Sequence, residues 1–470
     1  MANSVLELKA DIWLAVSLLL PVTDLLRLQA TCKHLRDLLS LDYVWSSALK
    51  DIMTTVTFPD HSSRNLSLSS LELKHRAVLA ARVERYWGQP KVLVTPRNLQ
   101  SLPTRDGVIK ARLVKGGQWI VLLLTDGTLC LQAAAADAPC VVDSSFKTLT
   151  NSYVWMTLSL SAGMPRETLV LLRTSKWDAI RGSPSTTIAI YCVDTNISKP
   201  CFRMLKKVTQ HHSAGAYETA TAAEGNLWAF GWSHDGRQLL SVKNILWNQD
   251  DVEKEVVFDI GEPIHATLSL LSATQVLVTS CHKISLYEIP PLQLIIPGQQ
   301  PPIIQREPIW TRTFQDNYNY PPVGPICWDA DSGRHESVLA MITGDNLRFF
   351  TPSPGHPSID SFQIRTYSDS EMATRPALSD RRAIWSAGDE LFMCTFPMQA
   401  GGDAGRLRLG MAEPGASVRI AGVEMPAQSV DGQICDLSWD ETAGRLCLLV
   451  ESQRVDSKFP SLKIMIIDAL

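Results

Sequence analysis

From residue 91 onward the chain repeats one local pattern: a short apolar strand, a polar turn and a second apolar strand. The plainest case is residues 118–132, QWIVLLLTDGTLCLQ. Asp126-Gly127 there tolerates the positive φ angles of a type I′ hairpin turn, whose twist matches that of paired strands. Trp232-Ser-His-Asp-Gly-Arg before QLLSV, Trp328-Asp-Ala-Asp-Ser-Gly-Arg before a strand near Val338, and Trp439-Asp-Glu-Thr-Ala-Gly-Arg before LCLLVE repeat the pattern. The aromatic anchors Trp119, Trp232, Trp328 and Trp439 stand about 100 residues apart, roughly two propeller repeats. Weaker turns near Gly163, Ser272 and Gly388 fall between them, so the count is seven units.

Seven sheet units of about 50 residues without helical connections predict a β-propeller rather than a sandwich, which would be complete in far fewer residues. Two stacked β domains are the alternative. A unit alone exposes an apolar face, so the units must stack and the ring must close. Residues 91–94, KVLV, and 462–468, LKIMIID, are the expected closing partners. Longer insertions are expected at about 177–184, 206–225, 290–308 and 351–357. The Pro-rich one, residues 289–308, cannot supply interior strands and is expected to cross the surface as an extended loop. The blades resemble divergent WD-type repeats in architecture, although Trp328-Asp329 and Trp439-Asp440 stand at the start of turns.

Ahead of this region the periodicity is helical. In residues 8–45, LKADIWLAVSLLLPVTDLLRLQATCKHLRDLLSLDYVW, the apolar positions Ile12, Leu14, Val16, Leu19 and Leu20 predict a helix of about two and a half turns that Pro21 stops. Thr23 or Asp24 is the expected N-cap of a following run through Leu25, Leu28, Cys32, Leu35 and Leu38 or Leu39. A unit of fewer than about 50 residues cannot stand alone and must lean on a partner. A further helix is expected over 66–87, capped by Ser69 or Ser70 and stopped at Gly88 and Pro90.

Through DIWLAV, LLLPVTDLLRL, TCKHLRDLL and YVW this N-terminal stretch resembles an F-box, the module that docks substrate receptors onto the Skp adaptor of Skp–cullin–F-box ubiquitin ligases. F-boxes commonly open with Leu-Pro, whereas Leu8 is followed here by Lys9. The resemblance implies adaptor contacts at Leu8, Ile12, Trp13, Val16, Leu20, Pro21, Leu25, Leu28, Cys32, Leu35 and Trp45, some of which must instead pack the helices together. It also implies a helical bridge to a substrate-binding propeller, and through the Skp adaptor a link to cullin. The expected organisation is therefore mainly β with a small helical N-terminal domain: 1–50 F-box, 51–90 helical linker, 91–470 propeller.

The remaining chemistry points away from catalysis. A net charge of −4 and a pI near 6.2 offer no basic stripe for nucleic acid. The 10 cysteines lack C-x-x-C spacing, so the expectation is reduced thiols in a cytoplasmic or nuclear protein, with no metal and no cofactor. The run 13–22 is too short to span a bilayer and has Glu7 and Asp11 where a signal peptide carries positive charge, so no membrane partner is expected. There is no phosphate-binding Gly-rich loop and no G-x-S-x-G elbow, and His211-His212 is the only adjacent histidine pair. The expectation is a non-catalytic adaptor. A scaffold unrelated to ubiquitin, or an enzyme with its site in the central opening, are the alternatives.

Overall fold

The computed structural model describes residues 9–53, 69–89 and 91–98 and, between 107 and 468, the strands named below with many of their turns. The first described residues form five helices: α1 (Ala10–Ser17), α2 (Val22–Gln29), α3 (Lys33–Leu38), α4 (Asp42–Met53) and α5 (Ser70–Trp87). Pro21 does end the first apolar run, but it also starts the next. With φ −64° it sits at the N-cap of α2, which has no side-chain cap from Thr23 or Asp24. The run through Leu25 and Leu38 is two helices rather than one, because Cys32 is extended (φ −154°, ψ 164°) between them. The YVW triplet lies inside α4, which continues without interruption across the expected boundary at residue 50. Ser69 caps α5 as expected, its Oγ accepting the Glu72 N–H at 3.3 Å. At the other end Gly88 N–H donates to Glu84 O at 2.7 Å, and a Cβ on Gly88 would lie 2.6 Å from that same oxygen.

Among the described residues, all regular structure that follows is β. Among the described residues there are seven sheets of three or more strands, each built on consecutive antiparallel strands, and one two-stranded hairpin, Met398–Ala400 with Leu407–Leu409. In chain order the sheets occupy residues 108–143, 155–211, 221–259, 267–313, 339–363, 377–424 and 433–468. Of the weaker expected turns, Ser272 lies in the fourth sheet; Gly163 and Gly388 are outside the described residues, which include strands of the second sheet (Trp155–Ala162, Glu167–Asp178) and of the sixth (Arg382–Ala387, Glu390–Thr395) on either side of them. Trp119, Trp232 and Trp439 lie in the first, third and seventh. Trp328 and Val338 are outside the described residues, as are Asp126 and 351–357.

The first strands of successive sheets lie side by side. Val108–Leu113 neighbours Trp155–Ala162, which neighbours Thr221–Glu224, which neighbours Thr267–Ser272; Ala377–Leu378 neighbours Gln433–Asp440, which returns to Val108–Leu113. Each contact between sheets buries an apolar layer. Val121, Leu123, Leu129 and Leu131 of the first sheet meet Val170, Leu172 and Tyr191 of the second, and Ile120, Leu122 and Leu124 meet Cys447, Leu449 and Ile466 of the seventh. Alternate residues of one strand thus face opposite neighbours, as the two-residue period of a strand requires. Meander sheets stacked at these contacts, first to fourth, sixth on seventh and seventh on first, are arranged as the blades of a β-propeller are.

Several local expectations change. The hairpin at Gly127 has a three-residue connection: Leu124 N–H bonds Thr128 O at 3.0 Å and Gly127 N–H bonds Leu124 O at 2.9 Å. Its left-handed residue is Gly127, φ 84°. Residues 177–184 do not interrupt the second sheet, since Trp177↔Pro184 and Asp178↔Ser183 are paired at the tip of a long hairpin. Likewise the strand Phe202–His211 runs through the first part, 206–211, of the insertion expected at 206–225. The Pro-rich segment supplies two short edge strands to the third sheet, Gln293–Leu294 antiparallel and Ile303–Gln305 parallel to Lys254–Asp259. An edge is where Pro-flanked strands are tolerated.

Closure differs too. KVLV contributes β1 (Lys91–Leu93), which adds in parallel to Arg419–Glu424 of the sixth sheet. The terminal strand Ser461–Asp468 instead receives β2 (Arg97–Asn98), whose Arg97 pairs with Ile466 and Asn98 with Met465. The physical reason is distance along the chain: the strap crosses from one sheet edge to the next between Leu93 and Arg97.

Candidate functional site: an exposed face on the helical unit

The helical unit has its own core. Leu25 and Trp45 are 0% exposed, and Leu35, Leu39, Val44 and Ala77 are buried with them. Trp45 Nε1 donates to Leu39 O at 2.7 Å, satisfying the one polar atom that ring brings inside. Lys74 of α5 reaches over the same ring, 5.5 Å from its centroid, and donates to Gln29 at 2.6 Å.

The residues implied as adaptor contacts are thereby sorted. Leu25, Leu35 and Trp45 hold the helices together and have no surface to offer. Trp13, Leu20, Leu28 and Cys32 are half-buried, Ile12, Val16 and Pro21 are exposed, and Leu8 lies outside the described residues. On α1 the buried side is marked by Ser17, whose Oγ donates to Leu14 O at 2.7 Å. The opposite side carries Ile12 and Val16, 45% and 39% exposed, followed by Leu19 at 86%. Their spacing of four and three residues places them in one stripe. Leu19 was not among the residues implied by resemblance, because a run that is apolar all round does not say which side faces water.

Leu41, Tyr43 and Leu71 are exposed as well, and Ser70 Oγ at the start of α5 donates to Ser40 O. Next to the α1 stripe, Leu20, Val22, Ile52 and Ala81, with Arg27 and Arg85, line a groove of about 670 Å³. On α3, Lys33, His34, Arg36 and Asp37 are exposed, a polar outer surface of mixed charge.

The C-terminal half of α5 belongs to the sheets. Val83 and Trp87 are buried among Ile384, Leu391, Trp439, Leu446 and Leu448, and the Trp87 and Trp439 rings meet edge to face at 4.8 Å. Trp87 Nε1 donates to Gly444 O at 3.3 Å. Arg382, wholly buried, donates to Glu441 at 2.6 Å and to Glu84 of α5. One helix is therefore part of two cores.

In the β region burial pushes the Cys192 and Cys435 thiols up to about 11 and Cys447 up to about 12, with Cys394 raised as well. None of these four is poised as a thiolate nucleophile at neutral pH. Among the described residues no group of three or more His, Cys, Asp and Glu side chains is placed to hold a metal ion. No helix among them is long and apolar enough to cross a membrane.

No protein-family model and no curated protein matches the sequence. Among solved structures, the crystal structure of the Cps50 (Swd1) β-propeller domain of Myceliophteria thermophila aligns with 79% of this chain and 99% of its own length, at 13% identity and a TM-score of 0.41.

Proposed function

We propose that the protein is a non-catalytic intracellular adaptor of a Skp–cullin–F-box ubiquitin ligase, with the helical unit docking the Skp adaptor and a seven-bladed propeller holding a substrate protein. Such an adaptor accelerates ubiquitin transfer by raising the effective concentration of substrate lysines near the charged carrier enzyme. The observation that carries the reading is the role of α5: its first half completes the helical core and its second half is sealed into the sheets, so two binding ends would be held at a set separation. The apolar stripe of α1 supports a protein partner at the helical end, since contiguous exposed apolar side chains mark interaction surfaces.

Lys9 fits this reading better than its side chain suggests. It is the N-cap of α1 with φ −58° and ψ 146°, backbone angles that a proline adopts without strain. The Leu-Lys opening therefore has the backbone shape of Leu-Pro at its second residue.

Co-purification tests the proposal. Tagged wild-type protein is expected to bring down the Skp adaptor and cullin, and a variant carrying Ile12→Asp, Val16→Asp and Leu19→Asp is expected to lose both while keeping its thermal unfolding midpoint. Absence of both partners from the wild-type pull-down would favour the ubiquitin-independent scaffold. Their retention by the triple variant would move the docking face elsewhere on the unit.

A further inference from the structure

The geometry points to a closure device: seating of the helical unit on α5 controls whether the seam between the first and seventh sheets stays shut. The seventh sheet obtains three strands from its own stretch of chain, and its fourth is β2 alone. Two paired positions, Arg97↔Ile466 and Asn98↔Met465, are a weak hold. Arg97 strengthens it. Its Nε donates to Asp468 at 3.1 Å, and another of its nitrogens donates to Ala134 O in the first sheet. Asp468 also accepts from Arg445, which itself donates to Gly117 O of the first sheet. These contacts meet where the strap following α5 ends, while Arg112 with Asp436, Leu113 N–H with Ser438 Oγ and Gly116 N–H with Asp440 hold the seam elsewhere.

The other end of that strap is α5. Tyr86 OH donates to Leu93 O at 2.8 Å, Val94 N–H donates to Glu424 O at 3.0 Å, and Trp87 and Glu84 are fastened to the sixth and seventh sheets as described above. The first half of α5 is held by the helical core through Ala77, Leu73 and Val78. That core is too small to be ordered without α5. Order in α1 to α4 therefore adds its hold on the first half of α5 to the hold of the sheets on the second half, and the strap inherits both. By linkage, a partner that binds the ordered helices stabilises the seam, and a ligand spanning the seam strengthens partner binding by the same factor.

Hydrogen exchange on the full-length chain tests the coupling. Trp45→Ala loosens the helical core without touching any sheet. It is expected to speed exchange of the Ser461–Asp468 amides by about tenfold or more, about 1.4 kcal/mol, while those of Gln275–Thr279 in the fourth sheet stay as in wild type. Fast exchange confined to the helices, with Ser461–Asp468 unchanged, would overturn the inference. Should Trp45→Ala unfold the whole chain, Arg97→Ala probes the reverse direction. Faster exchange along Ser70–Trp87 supports the coupling, and wild-type exchange there refutes it. Neither measurement depends on the identity of the docking partner, so failure here leaves the ligase proposal standing and failure of that proposal leaves the coupling standing.

Discussion

Helices α1 and α5 are both in the helical unit, yet they are used in opposite ways. Helix α5 buries Ala77, Ala80, Val83 and Trp87, whereas α1 buries Ser17 alone and leaves Ile12 and Val16 in water. The helix with more charge is the structural one, and the more apolar helix is the more exposed. A helix therefore shows its role by what it packs against, and not by its hydrophobicity.

The contrast can be broken from the α5 side first. Trp87→Ala removes a ring shared by the helix and two sheets, and a loss of about 3–5 kcal/mol is expected, read as a lower midpoint in thermal or urea unfolding. Glu84→Gln keeps the shape but takes away one of the two carboxylates facing buried Arg382, and about 1–2 kcal/mol is expected by the same measurement, discounted because Glu84 is partly exposed. On α1 the effects should be small. Lys9→Pro, at backbone angles that already suit proline, is expected to stabilise by about 0.4–1 kcal/mol through the unfolded chain. Ile12→Asp with Val16→Asp should change stability by no more than about 0.5 kcal/mol. A larger loss would mean that the stripe is covered by the chain itself, and the contrast between the two helices would fail.

The β region was the more legible part. Six of the seven anticipated units coincide with separate sheets among the described residues, because a hairpin is signalled locally: an aromatic or aliphatic strand, Gly at the turn, and a second strand within reach. Trp439-Asp440 shows where local signals stop. The pair ends the strand Gln433–Asp440 and also begins the turn, with Asp440 accepting Ala443 N–H at 2.9 Å and Gly116 N–H of the first sheet at 2.7 Å. The first bond is foreseeable from spacing and the second is not, since Gly116 stands more than 300 residues away. The same limit explains KVLV. Its strand character was evident, but its partner is selected by where α5 delivers it.

In the helical unit, Pro21, the Ser69 cap and the Gly88 stop were readable because each acts within one turn of helix. The implied contact residues were less so. Leu25 and Leu28 look alike in the sequence, and only packing puts Leu25 inside and leaves Leu28 half-buried.

By itself the sequence determined the succession of helices and hairpins, the apolar period of each, and the need of a small helical unit for a partner, all consequences of interactions within a few residues. The tertiary structure decided which apolar side chains remain in water, that α5 is common to two cores, and that the strand closing the seventh sheet is Arg97–Asn98. Those depend on contacts between residues hundreds of positions apart, and no periodicity within a segment encodes which surface a distant segment will cover.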